Sequence, residues 1–367
     1  MTHQSLSRGR PRSAPGRPTS GLRVAIISPS FGGFGGLEAF VLAIAAGLPP
    51  SPEIDVRVFF KETRGFIRTP TLQAAIAPLG DRVRFVARAG RDLLGAIAWA
   101  DVVHAQNPSP DVVVLAKLLR RTLLINVINH RQPGRSLHHW LWRWALRQAV
   151  RRFYISDFVR QTWEGNIAWS GSRVVFPICE LAEGMCPVAE RRGFVFAARW
   201  IANKGLDTLI DAYAEARLDP AMWPLTLIGD GPLRPEMERR VSERGLRGIR
   251  MPGFVSAAEK ADLIRNARWM VVPPNTREDF GLTAIEARNL GVPCVITRDG
   301  GVPEAAGDMA IVCAPGSVAE LVAALREAAA MPDAEYRRRA LRTHETLLPR
   351  LARPSYYAAT YRDLHAG

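Results

Sequence analysis

The sequence predicts an α/β protein of two facing Rossmann-like domains, each with a parallel, doubly wound sheet, and an interdomain cleft between them. Three observations carry this. The chain has 367 residues, too many for one ordinary core and about right for two domains of roughly 150 to 180 residues. Short apolar runs alternate with segments of helical periodicity, which implies parallel strands joined by crossover helices. The alternation then restarts at residue 194 with a second strand, loop and helix of the same design.

The elements follow in order. "LRVAIISPS" (22–30) reads as a strand ending in turn residues, followed by a glycine-rich loop and the helix "LEAFVLAIAAGL". Strands are expected at 55–60, 83–86, 101–106 and 122–129, with a helix near 110–120. The second series predicts strands at 194–198 and 225–229, a helix at 234–244, "IRMPGF", a helix at 257–266, a strand at 269–274, a helix at 282–290 and a strand at 293–297. The boundary falls near 176–193. The expected division is a disordered basic tail (1–21), an N-terminal Rossmann-like domain (22–178), a C-terminal Rossmann-like domain (179–345), and a closing helix (346–367) packed back on the first domain. In such folds ligands bind at the carboxyl ends of the strands, so both sheets point into the cleft.

Composition narrows the partners. There are 49 Lys and Arg against 35 Asp and Glu, a net charge of +14. Setting aside Arg8, Arg10, Arg12 and Arg17 in the Pro-, Gly- and Ser-rich tail leaves about +10 on the folded body. A basic body favours anionic partners: nucleic acid, an anionic membrane surface or a phosphorylated small molecule. The tail has no apolar stretch of the secretory kind, and no apolar run approaches the eighteen or so residues needed to span a bilayer. The expectation is a cytoplasmic protein without a membrane span. Cys179, Cys186, Cys294 and Cys313 form no Cys-x2-Cys pair, so reduced, partly buried thiols are expected.

The residues able to do chemistry cluster at strand ends. Arg199 ends the strand 194–198, while Lys204 and Gly205 open a helix whose apolar face is Leu206, Leu209, Ile210 and Tyr213. Two cations beside the free N–H groups of a helix start make an anion site suited to a diphosphate. The loop "FGGFGGLEAF" presents Gly32, Gly33, Gly35 and Gly36 between strand and helix and suits either a structural turn or close backbone approach to a ligand, although Glu38 stands where a dinucleotide fingerprint needs a small residue. In "REDFGLTAIEARNLGVP", Glu278 lies in a loop at the cleft. Glu286 lies on a helical stripe with Leu282 and Leu290, where a carboxylate needs hydrogen-bond partners. Ribose hydroxyls, backbone N–H groups or an arginine would each serve.

These stretches, with "LIGDGPLR", "PGFV" and "EDFGLTAIEARNLGVPCVITRDGGVPE", resemble the donor-domain motifs of family 4 glycosyltransferases, retaining enzymes of the GT-B fold. "GGLEAF", "DVVHAQ" and "FYISDFVRQTW" are more loosely similar to the acceptor domain. Glu278 and Glu286 match the family's Glu-x7-Glu pattern, which becomes specific in combination with Arg-x4-Lys-Gly and the glycine motifs. The resemblance implies that Arg199 and Lys204 bind the donor diphosphate and offset the leaving group's charge. It also implies that Glu278 holds the transferred sugar, that Glu286 holds the ribose, and that His130 sits close to the donor sugar. Gly229, Gly231, Gly253, Phe254 and Val255 would line the base; Phe280, Gly281 and Leu282 would complete the donor site. Gly35 and Gly36 would face it from the other domain. The expected donor is a UDP- or GDP-linked sugar, with no cofactor and no metal. The expected reaction transfers a hexose with retention to a glycan or lipid-linked acceptor, in bacterial polysaccharide or lipopolysaccharide assembly. "VVFPICELAEGM", "NHRQ" and Gln106 depart from the pattern, all on the hinge and acceptor side.

Two rivals stand beside this reading. A hydrolase would use the paired carboxylates but leaves Arg199 and Lys204 unexplained. A nucleic-acid-binding protein would use the charge, yet no recognised motif is present, so no nucleic acid is expected. The segment 136–152 combines Trp140, Trp142 and Trp144 with Arg143, Arg147, Arg151 and Arg152. It suits either an anionic membrane surface or packing on the first sheet.

Overall fold

The computed structural model describes residues 21–88, 90–132, 134, 136–177 and 188–367. The basic tail, Cys179, Cys186 and most of the expected boundary segment lie outside them.

The first domain runs β1 (Leu22–Ser30), α1 (Gly36–Ala46), β2 (Ile54–Glu62), α2 (Pro70–Ile76), β3 (Val83–Val86), α3 (Arg91–Trp99), β4 (Val102–Gln106), α4 (Pro110–Leu118), β5 (Thr122–Val127), α5 (Leu137–Gln148), β6 (Arg151–Tyr154), α6 (Asp157–Glu164) and β7 (Ser172–Val174). The second runs β8 (Arg192–Ala197), α7 (Leu206–Ala216), β9 (Leu225–Ile228), α8 (Arg234–Glu243), β10 (Ile249–Gly253), α9 (Ala257–Asn266), β11 (Ala267–Val272), α10 (Leu282–Asn289), β12 (Cys294–Thr297), α11 (Val302–Ala306), β13 (Ile311–Cys313), α12 (Val318–Ala330) and α13 (Asp333–Glu345). A final helix, α14 (Pro354–Ala366), follows.

Both sheets are parallel and doubly wound, in the orders β3-β2-β1-β4-β5-β6-β7 and β10-β9-β8-β11-β12-β13. Their central strands are buried on both faces, so they read as unbroken apolar runs rather than alternating ones. Strands β8 and β9 end one residue earlier than expected, and β5 and β11 end two residues earlier, for local reasons. β11 stops at Val272 because Pro273 and Pro274 have no N–H to give a ladder. β5 stops at Val127, where the Ile128 N–H turns to the side chain of Asn107 at 3.1 Å.

Helix α14 lies on the first domain. Tyr357, Tyr361 and Leu364 join the same apolar cluster as Val24 and Ile26 of β1 and Phe40 of α1. The Tyr361 hydroxyl stands 2.8 Å from His104 Nδ1, and Tyr357 stacks on the same imidazole. Helix α5 splits its tryptophans. Trp142 stacks on Trp163 and Trp144 packs against the same core, whereas Leu137 and Trp140 point to solvent. Arg143, Arg147 and Arg152 gather around the Trp169 ring. Cys294 and Cys313 are buried free thiols, pushed up to about 12 and about 11 by burial. Among the described residues no helix is long and apolar enough to cross a membrane.

Candidate active site

Each sheet reverses its winding at one point, between β1 and β4 in the first domain and between β8 and β11 in the second. Crevices open there because the flanking helices leave in opposite directions. The loop after β1 carries the glycines, the turn after β8 carries Arg199 and Lys204, and the loop after β11 carries Glu278 to Gly281. These three segments meet across a cavity of about 280 Å³, which Arg199, Lys204, Glu278, Asp279, Phe280, Gly281 and Leu282 line from one side and Gly36, Leu37 and Phe40 from the other.

Lys204 ends a short 3-10 turn, Ala202–Lys204, and α7 begins only after Gly205. Gly205 has φ of 67°, and a Cβ there would stand 1.8 Å from the Pro273 carbonyl oxygen. Only glycine permits that approach, which holds the lysine against the exit of β11. Its ammonium is bonded to the Glu278 carboxylate. The two groups assigned separately to diphosphate and sugar therefore neutralise each other in this state. Arg199 is exposed and has no ion-pair partner among the described residues.

Glu278 is held by its backbone. The N–H groups of Arg277 and Glu278 donate to the Asp299 carboxylate at 2.8 and 2.7 Å, and Gly301 N–H donates to the Glu278 carbonyl at 2.9 Å. "RDGGVPE" thus works as a clasp around the glutamate loop. Across the cavity, Glu38 shapes the glycine loop by accepting the Gly35 N–H at 3.1 Å. Burial raises the Glu38 carboxyl above its ordinary range.

Contacts between the domains involve residues that the sequence reading left without a role. Asp279 Oδ1 accepts the His130 N–H at 2.6 Å and stands 2.8 Å from His130 Nδ1. Ser156 caps α6 and also donates its hydroxyl to the Asp279 carbonyl at 2.8 Å. The Glu304 carboxylate, from α11, accepts the N–H groups of Asp157 and Phe158 at 2.7 and 2.9 Å. An acid from one domain thereby satisfies the first turn of a helix in the other. The serine before "DFVRQTW" was a readable cap signal, but its partners lie over a hundred residues away.

Not every expected residue joins the cavity. His130 contacts it only through Asp279, and Gly35 stands one residue outside the lining. Glu286 faces Lys260 of α9 at 2.7 Å, so its observed partner is a lysine rather than the arginine or backbone N–H considered from sequence. Its second oxygen is buried without a partner. Gly229 and Gly253 meet through a 2.9 Å backbone bond at the ends of β9 and β10. Exposed Phe254 and half-buried Val255 follow, and Gly231 packs on Trp200; all five lie outside the cavity lining. Among the described residues no group of three His, Cys, Asp or Glu is placed to hold a metal ion.

Two facing Rossmann-like domains with a lined cleft define the GT-B architecture. The Anabaena protein Alr3699/HepE, solved in complex with UDP and glucose, superposes with a TM-score of 0.75 over 94% of this chain and 100% of its own, at 16% identity. The family described as Glycosyl transferases group 1 matches residues 188–343, the span of the second domain. Over 103 residues, 28% of this chain, the sequence is 32% identical to the O-antigen chain mannosyltransferase C of Escherichia coli. Over 147 residues, 39% of this chain, it is 33% identical to the glycogen synthase of Mycobacterium tuberculosis. The matched parts make up 26% and 35% of those relatives.

Proposed function

We propose that this protein transfers a hexose from a nucleoside-diphosphate sugar to an acceptor hydroxyl, with retention at the anomeric carbon. The observation that carries the reading is the meeting of Arg199, Lys204 and Glu278 at the strand-end crevice of a glycosyltransferase group 1 domain. Breaking the anomeric C–O bond leaves an oxocarbenium-like sugar and a diphosphate, two opposite charges that must be stabilised together. Arg199 and Lys204 serve the diphosphate. Glu278, released from Lys204 as the phosphates take over the ammonium, serves the sugar. The acceptor oxygen bonds to the anomeric carbon on the face the diphosphate leaves, and its proton passes to the departing phosphate oxygen. The cations carry the leaving group's charge in this scheme, and no metal is assigned a part in it. Glu286 would exchange Lys260 for the ribose hydroxyls.

The O-antigen mannosyltransferase among the relatives supports placing the reaction in bacterial surface polysaccharide or lipopolysaccharide assembly, on the cytoplasmic side. The start of α5, with Leu137 and Trp140 exposed, is the part of the chain we would place against an anionic membrane surface; co-sedimentation with phosphatidylglycerol vesicles tests it.

The central test is thermal unfolding with UDP, GDP, ADP and their sugars. UDP comes first because a neighbour in fold holds it. A ligand at a hundred times its dissociation constant stabilises by about 2.7 kcal/mol, a shift of several degrees. No shift with any of these compounds would remove the donor reading.

A further inference from the structure

The wall of the cavity facing the donor cations is almost entirely hydrocarbon. From the first domain it presents Leu37, Phe40, Ile128, Ile155 and Val175, and no charged side chain of that domain lines it. Two polar side chains interrupt this surface: exposed Asn129, which is bonded to Asn107 and Asp279, and one buried amide. Asn126, in β5, is 5% exposed and lines the cavity, and its side-chain amide has no hydrogen bond among the described residues. It lies in register beside Gln106 of β4. Gln106 is 1% exposed; its Nε2 stands 3.1 Å from His104 Nε2 and its Oε1 has no partner. Two primary amides thus sit side by side at the cleft end of the sheet, the Gln106 Oε1 buried without a partner and the Asn126 amide open to the cavity without a hydrogen bond among the described residues. The Asn126 amide, facing the cavity, can bond a hydroxyl that a ligand brings.

Outside the cavity lining, the loop that leads to Gly36 also carries apolar side chains. Phe31 and Phe34 are exposed there, and exposed Ile67 is tied alongside by its N–H to the Phe31 carbonyl at 3.2 Å.

We infer that this wall is the acceptor subsite, that it takes a neutral alcohol on a largely apolar body, and that Asn126 selects the acceptor by bonding a hydroxyl of it. The inference rests on the donor reading above, which puts the diphosphate on the opposite wall and leaves this one to the nucleophile. A phosphorylated acceptor group would lose its hydration here without meeting a cation. A fully hydroxylated sugar would turn most of its hydroxyls toward hydrocarbon. An apolar alcohol meets neither penalty.

The test uses the full chain with whichever nucleotide sugar shifts its unfolding most. Nucleotide release is followed with 2-naphthol, 4-methylcyclohexanol, methyl glucoside and glucose 6-phosphate as acceptors, and nucleotide affinity is measured by calorimetry in parallel. The two apolar alcohols are expected to accept sugar at least tenfold faster than the other probes. Asn126→Leu should raise the KM for the alcohols at least tenfold while leaving kcat within about threefold and nucleotide affinity unchanged. Asn126→Ser, which restores a hydroxyl, should recover part of the loss. Intact nucleotide binding with preference for methyl glucoside or glucose 6-phosphate, with no transfer to either alcohol, or with an Asn126→Leu variant equal to wild type would overturn the inference. Failure of the wild type to bind any nucleotide would instead overturn the donor reading, and this inference with it.

Discussion

At the scale of single residues, Lys204 and Glu278 pair with each other, and in the proposed reaction each would leave the other for phosphate and sugar. Lys204→Ala removes a cation from the leaving group and leaves Glu278 unpaired. The expected result is a kcat lowered by about 10²–10³, on the scale of losing one transition-state donor, with a smaller loss of nucleotide affinity. An unchanged kcat would take the lysine out of the chemistry. Glu286 calls for a different measurement. Its ion pair with Lys260 is about one-third exposed and contributes at most about 1 kcal/mol to stability. Glu286→Ala should therefore barely move the unfolding temperature, while a lost ribose contact should weaken nucleotide binding by about tenfold or more. Wild-type affinity in that variant would mean the carboxylate serves only Lys260. Gly205 is a backbone matter. Any Cβ there meets the Pro273 carbonyl, so Gly205→Ala should destabilise the second domain and displace Lys204 together.

Helix α14 shows how an element at the end of the chain secures the domain at its start. It buries His104 beneath Tyr357 and Tyr361, with Gln106 on the remaining side, and burial drives that imidazole down to about 3. The sign follows directly. The folded chain keeps His104 neutral, while the unfolded chain protonates it near its ordinary value of about 6.5. Between those two values the unfolded state holds the extra proton, so this contribution to stability is complete above pH 6.5 and is lost as the pH falls toward 3. Within the window the slope approaches about 1.4 kcal/mol per pH unit. Urea unfolding of the first domain at pH 7.5, 6 and 5 should show this decline, and His104→Gln should flatten it. An equal slope in the variant would assign the acid sensitivity to other groups.

At the scale of the whole molecule, the second domain was the more legible in sequence because its information is local. Its strands are short apolar runs, and Arg199 to Gly205 and Glu278 to Glu286 each lie within one loop and one helix start. The first domain hid β6 and β7, and the second hid β13. "RRFY" does not read as a strand because Arg152 is buried by donating to the α5 carbonyls of Leu146 and Ala149 rather than by packing. The contacts that close the cleft were invisible for another reason: His130 and Asp279 are 149 residues apart, and Asp157 and Glu304 are 147. No periodicity encodes such pairs, so Asp279, Ser156 and Glu304 acquire roles only in three dimensions. Those roles make a prediction about the molecule's shape. Asp279 and Glu304 flank the clasp around Glu278, and both reach across to the first domain, so the segments that order the Glu278 loop also join the two domains. Asp279→Asn weakens the bond to His130, and Glu304→Gln removes the charge at the start of α6, where an anion contributes about 0.3–2 kcal/mol. Because both losses fall on the interdomain contact and spare the two cores, the double variant should keep its circular dichroism and both unfolding transitions. It should show a larger radius of gyration by solution X-ray scattering than the wild type, and a lower kcat. A double variant as compact as the wild type yet equally impaired would mean that these acids act on the substrate directly and that closure is held elsewhere.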